Sequence, residues 1–218
     1  EGGFPTCINR SGEVVFTLDA VEFVGPFSEG LAPIISEDAE VGFVNTQGDV
    51  VIVPQFDEVG YFKEGLASVC LIDEYGFIDK TGKIVINPQF DWVGQFSSGL
   101  AAYEKNDEYG FIDKDGKIVI NPQFDNVGQF SNGLAPFEKN GEYGYIDKTG
   151  KIVINPQFDY AGYFYDNVAI VALEDEYGII DQEGKYIVNP QFEDLWTPDM
   201  EVCIPVDVSR FSQMGVDG

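Results

Sequence analysis

Read for its apolar and polar positions, the stretch from 109 to 143 resolves into three short apolar bursts separated by polar turns. Tyr109-Gly-Phe-Ile-Asp113 is aromatic and β-branched and predicts a strand. Asp113-Lys-Asp-Gly116 supplies a tight turn with glycine where a positive φ is needed, and Lys117-Ile-Val-Ile120 predicts the returning strand of a hairpin. Asn121-Pro122 is expected to end that strand, because proline has no amide for a ladder and drives the preceding residue extended. A connector over 123–130 crosses the edge with a brief extended piece of its own. Gly133-Leu-Ala-Pro-Phe-Glu-Lys139 predicts a third strand alternating in period two, and Asn140-Gly141, favoured in type I′ hairpins, turns the chain into the next Tyr-Gly strand. The last strand of one unit is thus expected to pair with the first of the next.

The same pattern returns along the chain. Glycines stand at 42, 76, 110, 144 and 178, successive steps of 34, and again at 48, 82, 116, 150 and 184. Residues 75–91 recur at 109–125 with one change, Asp115 for Thr81, and at 143–159 with one, Tyr145 for Phe77. The sequence predicts one array over 1–218, with units near 1–41, 42–75, 76–109, 110–143, 144–177 and 178–214 and the start of a seventh at 215–218. Terminal units depart from the consensus, as caps of arrays do. The expected fold is all-β, an open β-meander or superhelical β-solenoid. The alternative is a closed six- to seven-bladed β-propeller, disfavoured because about 34 residues is short for a four-stranded blade of ~40 to 45. Pro33 and Pro136 share a column of the third strand, whose amide is expected to face an edge or solvent.

Composition adds limits on function. Hydrophobic residues at 44%, aromatics at 14%, 25 glycines and 11 prolines suit a packed interior with many turns. A net charge of -26 repels phosphate backbones and anionic headgroups, so nucleic acid is not an expected partner. The same charge keeps the strand edges of separate copies apart. There is no histidine, which removes the commonest general base and metal ligand together. Cys7, Cys70 and Cys203 stand far apart and read as small apolar residues, with one disulfide between two of them left open. No apolar run approaches the ~20 residues of a membrane span, so membrane insertion is not expected. The chain opens Glu1-Gly2-Gly3 without an initiator methionine or signal peptide, and its start reads as processed or truncated.

The run Tyr109-Gly-Phe-Ile-Asp-Lys-Asp-Gly-Lys-Ile-Val-Ile-Asn-Pro-Gln-Phe-Asp125, followed by Phe130-Ser-Asn-Gly-Leu-Ala135, resembles the WG (or KWG) repeat of bacterial repeat proteins. One departure is systematic: tyrosine stands at 75, 109, 143 and 177 where that family has tryptophan, and Val41 in the second unit. Tyrosine keeps a flat apolar body, so packing is expected to survive. The resemblance implies a β-rich bacterial protein, extracellular or at the cell envelope, and implies little about activity.

Three motifs carry candidate chemistry. Asp113-Lys-Asp-Gly116 echoes the start of a calcium loop, but its counterparts Asp79-Lys-Thr-Gly82 and Asp147-Lys-Thr-Gly150 do not, and no bidentate glutamate follows; a hairpin turn is expected, and no metal. The Pro-Gln-Phe-Asp box at 54–57, 88–91, 122–125 and 156–159 places a carboxylate in every unit. Acid–base catalysis needs carboxylates in unlike environments, so these identical ones are read as turn caps, and no catalytic residue or cofactor is assigned. Phe90, Phe124, Phe158, Phe96, Phe130 and Phe164 are expected in the core. Variation concentrates in the column after the box, with Glu58, Trp92, Asn126 and Tyr160, and in the column after the connector glycine, with Tyr61 and Tyr163. These six form the expected binding rim, centred on Trp92, Tyr160 and Tyr163, suited to stacking on sugars or holding a peptide.

The function expected is non-catalytic binding or scaffolding of a protein or glycan partner. The alternative is a subunit that self-associates through its terminal strands into a filament or envelope assembly. A propeller hydrolase is disfavoured, because no acid pair stands apart from the repeat.

Overall fold

The computed structural model describes residues 4–19 and 21–193; Cys203 and the start of a seventh unit lie outside them. The chain divides into two compact units, the first ending at Ile118 and the second beginning at Val119. The first opens with a two-stranded sheet, β1 (Thr6–Ile8) and β2 (Val14–Thr17). A four-stranded sheet follows, in the order β3 (Phe23–Val24), β4 (Leu31–Ile35), β5 (Val41–Asn45) and β6 (Val50–Phe56). The next repeats it with β7 (Glu58–Val59), β8 (Leu66–Leu71), β9 (Glu74–Asp79) and β10 (Ile84–Phe90). Then come β11 (Trp92–Val93), β12 (Leu100–Lys105) and β13 (Glu108–Asp113), while β14 (Ile118–Phe124) spans the division.

The second unit holds the sheet β15 (Asn126–Val127), β16 (Leu134–Lys139), β17 (Glu142–Asp147) and β18 (Ile152–Phe158). Its other sheet is β19 (Tyr160–Ala161), β20 (Val168–Leu173), β21 (Glu176–Asp181) and β22 (Tyr186–Phe192). Neighbouring strands in these sheets are antiparallel.

Each four-stranded sheet therefore joins the connector and third strand of one repeat to the first two strands of the next, as the Asn140-Gly141 hairpin predicts. The fourth strand is the connector's extended piece, only two residues long. That economy removes the length objection to a blade: a four-stranded antiparallel meander per repeat is the sheet a propeller is built from.

Two local expectations are corrected. The second strand does not stop at Asn-Pro. β10 runs through Asn87-Pro88 to Phe90, which pairs with Tyr75 across a register shift after Ile86. The proline sits in that irregularity on an outer strand, where no ladder bond is asked of it. The third strand does not alternate between core and water either: Leu134, Ala135 and Phe137 are all buried. The alternation instead sorts residues between two cores. In the first unit Ala67, Val69 and Ile78 face one cluster with Phe43, Ile52 and Phe62. Leu66 and Phe77, from the same strands, face the next cluster with Ile86, Phe96 and Tyr103.

The third-strand prolines behave as expected. Gly128 donates its amide to the Pro136 carbonyl at 2.8 Å, so the amide side that Pro136 lacks faces the connector, beyond the two-residue outer strand. Connector phenylalanines close each core, with Phe62 on Phe43, Phe96 on Phe77 and Phe164 on Tyr145, ring centroids 4.8 Å apart in all three. Two glycine columns are fixed by different constraints. A Cβ on Gly76 would lie 2.4 Å from the Ile86 carbonyl oxygen and 2.6 Å from the Pro88 nitrogen, so the irregular outer strand presses directly on its backbone. Gly82 closes the hairpin turn at φ 84, and its Cα packs over Ile52 of the preceding repeat.

Tyr103 occupies the column filled by Val69, Phe137 and Val171, and its buried hydroxyl has no hydrogen-bond partner. Tyr145, also buried, donates to the Gly162 carbonyl at 2.8 Å. Tyr103→Phe is therefore expected to raise stability by about 1 kcal/mol, while Tyr145→Phe loses a hydrogen bond and lowers it. Thermal melts of the two variants check the contrast.

Candidate functional site

The box aspartates explain one end of the sheets. Asp57 Oδ2 accepts the Ile72 amide at 2.8 Å, Asp91 the Asn106 amide at 2.7 Å and Asp159 the Glu174 amide at 2.6 Å. Each holds the two-residue turn between third and first strands, in which both residues have positive φ, as at Asn106 (56) and Asp107 (63). Asp91 and Asp125 also take a lysine, with Lys105 and Lys139 Nζ each 3.0 Å from Oδ1. The other end carries the hairpin turns, where Asp79 accepts the amides of Thr81 and Lys83 and the Thr81 hydroxyl. Its carboxylate is consumed by the turn, as a cap requires. Among the described residues no group of three or more His, Cys, Asp or Glu is placed to hold a metal ion.

The two ends differ in charge. In the first unit the hairpin end interleaves Lys80, Lys83, Lys114 and Lys117 with Asp79 and Asp113, and Lys80 and Lys114 pair with Glu29 and Glu64 across neighbouring sheets at 3.0 and 3.1 Å. The turns at the opposite end carry Glu37-Asp38, Asp73-Glu74 and Asp107-Glu108. Lys105, committed to Asp91, is the basic residue among them.

The variable column lies at that acidic end, as the first residue of each two-residue outer strand. In the first unit Glu58, Tyr61 and Trp92 are exposed, Tyr61 and Trp92 at 42% and 41%. In the second unit Asn126 and Tyr163 are exposed, but Tyr160 is half-buried: its ring stands edge-on to Tyr177, centroids 6.1 Å apart. Asn126 turns its Oδ1 to the Val127 amide. Tyr163 lies over Gly128, where an added Cβ would come 2.8 Å from its ring.

The column reading overlooked its partner, the tyrosine of each Tyr-Gly pair. Tyr109 and Tyr143 donate to Glu104 and Glu138 at 3.0 Å, directly across the strand pair. Where Cys70 replaces that glutamate, Tyr75 donates instead to Glu58 of the variable column at 2.8 Å, a bond that heads the causes pushing its pKa up to about 12. Where Ala172 replaces it, the tyrosine meets Tyr160. A glutamate five residues before Tyr109 and before Tyr143, facing it in a two-residue hairpin, was the available signal. Of the tyrosines in place of tryptophan, Tyr75 thus holds a rim residue, Glu58, through its hydroxyl. Cys7 and Cys70 are free thiols; Cys70 is buried, and burial pushes its pKa up.

Hydrogen bonding keeps the carboxylates charged. The Thr81 and Thr149 hydroxyls hold Asp79 and Asp147 below the ordinary range, the Asn106 amide does so for Asp91, and Lys139 for Asp125. Because the folded values lie below the unfolded ones, this stabilisation is complete above the ordinary carboxylate range and is lost as pH falls through the depressed values. The melting temperature is expected to hold down to about pH 5 and to fall below about pH 4. A melting temperature that instead climbed steadily on acidification would mean that relief of the -26 charge dominates.

The family described as WG containing repeat matches residues 6–36, 42–72, 75–109, 109–143, 143–176 and 177–199. The chain belongs to the WG-repeat family. Glu58, Tyr61, Trp92, Asn126, Tyr160 and Tyr163 fall in four of its six WG repeats, and the two-residue outer strands lie within matched segments. No curated protein sequence matches the chain. Among solved structures it is similar to Kluyveromyces lactis Hsv2, with a TM-score of 0.50 and 10% identity over 85% of this chain and 72% of that one. BamB from Moraxella catarrhalis gives 0.48 and 10%, covering 82% and 67%. A catalytically inactive virginiamycin B lyase from Staphylococcus aureus gives 0.44 and 16%, covering 85% and 76%. At such identities the Hsv2 likeness is one of fold, and it accords with four-stranded sheets repeated along the chain.

Proposed function

We propose that this WG-repeat protein is a non-catalytic binding and scaffolding module whose acidic, aromatic rim receives a protein or glycan partner. One observation carries the proposal: within each unit the residue that opens the two-residue outer strand, Glu58 or Trp92 in the first and Asn126 or Tyr160 in the second, differs between repeats and lies beside the turn held by the box aspartate, a frame that the repeats share. Repeat arrays recognise partners in this way, with an invariant framework and a varied surface. The charged state of the box and turn carboxylates fits acceptors of hydrogen bonds and ion pairs better than proton donors. An extracellular or envelope location is part of the proposal and comes from the family resemblance.

Trp92, Tyr61 and Tyr163 are the exposed aromatics of the rim; the Trp92 ring also stands edge-on to Tyr109, as half-buried Tyr160 does to Tyr177. A screen of glycans and peptides against the wild type, repeated with all three replaced by alanine, is expected to show affinity reduced about tenfold or more, with little change in melting temperature. Undiminished binding by the triple variant would reject the rim. The second reading, self-association through the terminal strands, draws on β1 and β2, whose Ile8, Val14 and Val15 are exposed. Light scattering that grows with concentration would favour it.

A further inference from the structure

The repeats act as copies of one another, and at one register position the copies differ: lysine fills it in some, and leucine in others, Leu71 in the first unit and Leu173 in the second. Lys105 sits at the end of β12, opposite Glu108, and its Nζ reaches Asp91 Oδ1 at 3.0 Å and the Gln89 carbonyl at 2.8 Å. One repeat earlier the same register position, opposite Glu74, is filled by Leu71. The receiving groups are otherwise alike. Asp57 Oδ2 is occupied by the Ile72 amide just as Asp91 Oδ2 is by Asn106, and Gln55 and Gln89 both bond the carbonyl two residues before them. Asp57 Oδ1 and the Gln55 carbonyl thus keep the geometry of an ammonium site whose lysine the chain does not supply. Glu58 follows Asp57 and pairs with Cys70, Glu74 pairs with Leu71, and Asp73 lies in the turn between, so the local charge is negative.

The neighbouring residue is anomalous as well. Ile72 is 88% exposed and sits at φ 54, a left-handed conformation that is strained for a β-branched residue. The same place holds Asn106 and Asn140 in the following repeats, the residue type that tolerates it. Ile72 belongs to no core cluster, so packing does not account for it. An exposed aliphatic tip beside an unfilled ammonium site presents two features to one ligand.

We propose that this corner of the first unit docks a peptide segment of a partner in which a lysine adjoins an apolar residue. The lysine ammonium takes the place between Asp57 and the Gln55 carbonyl that Lys105 takes one repeat on, and the apolar side chain rests on Leu71 and Ile72. The acidic end attracts a cationic segment and repels an acidic one. This proposal rests on the binding function given above and names the partner's chemistry.

The test uses the whole chain and a fluorescein-labelled peptide of about ten residues alternating lysine and leucine, followed by fluorescence anisotropy at low salt. Leu71→Lys supplies the missing lysine in cis. It is expected to melt at or above the wild-type temperature and to weaken peptide binding about tenfold, and acetylating the peptide lysines should do the same. Asp57→Asn, which keeps the shape of the cap, should weaken binding about fivefold and serves if Leu71→Lys fails to fold. Ile72→Asn is expected to raise the melting temperature yet weaken binding. No peptide binding by the wild type, or equal binding by wild type, Leu71→Lys and Asp57→Asn, would overturn the proposal. If the rim variants still lose a glycan or another ligand, the binding function stands without this corner.

Discussion

Phe96→Ala is expected to lower stability by about 3–5 kcal/mol, the largest effect of any single truncation considered. Phe96 lies in the connector after β11, in a stretch held by few backbone bonds, such as that from the Ser97 amide to Leu100. Its ring is 1% exposed, stands 4.8 Å from Phe77 of the preceding sheet, and completes a cluster with Leu66, Ile86, Phe90 and Tyr103. Truncation leaves a cavity between two sheets that the connector cannot close without abandoning the two-residue β11. At about 2–4 °C per kcal/mol for a chain of this length, the melting temperature should fall by about 6–20 °C. Calorimetry decides it, and a shift under about 3 °C would show that the connector is dispensable packing.

Gly144→Ala is expected to cost about 2–3 kcal/mol, well above the effect of an ordinary glycine-to-alanine change. Gly144 carries no positive φ; its constraint is space. An added Cβ would lie 2.5 Å from the Ile154 carbonyl oxygen and 2.8 Å from the Pro156 nitrogen, both backbone atoms that cannot rotate away. Relief requires the bulged β18 to lift from β17, breaking the pairing of Tyr145 with Ile154. Gly133→Ala is the control: nothing lies within 4 Å, so its strain comes from φ 88 alone and the cost should be about 1 kcal/mol. Equal melting temperatures for the two variants would show that outer-strand contact is not what fixes the Tyr-Gly glycine.

These cases show why part of the molecule was legible beforehand. Asn140-Gly141 announced its hairpin, because few residue pairs adopt two positive φ values without strain, and the pairing of third and first strands followed. The capping role of Asp91 and Asp125 was legible too, because four repeated Pro-Gln-Phe-Asp settings cannot hold differentiated acid–base chemistry. The Asn-Pro step misled, since proline's lack of an amide stops a strand only where a ladder bond is required. Tyr160 was placed on the exposed rim, but its column brings it against Tyr177, a contact between residues 17 apart that no local rule supplies. That Asp57, bonded to the Ile72 amide, lacks the lysine that Asp91 has was visible only once Leu71 and Lys105 proved to share a register.

The sequence by itself determined the all-β repeat, its period, its hairpins and its family, because strand alternation and turn chemistry are encoded within a few residues. Only the tertiary structure decided that the connector supplies a fourth strand, that both faces of each inner strand are buried, and that in the first unit lysines gather among the carboxylates at one end of the sheets and hardly at the other. Those properties depend on which faces neighbouring repeats cover and on where each charge finds a partner, and both arise between segments about 34 residues apart.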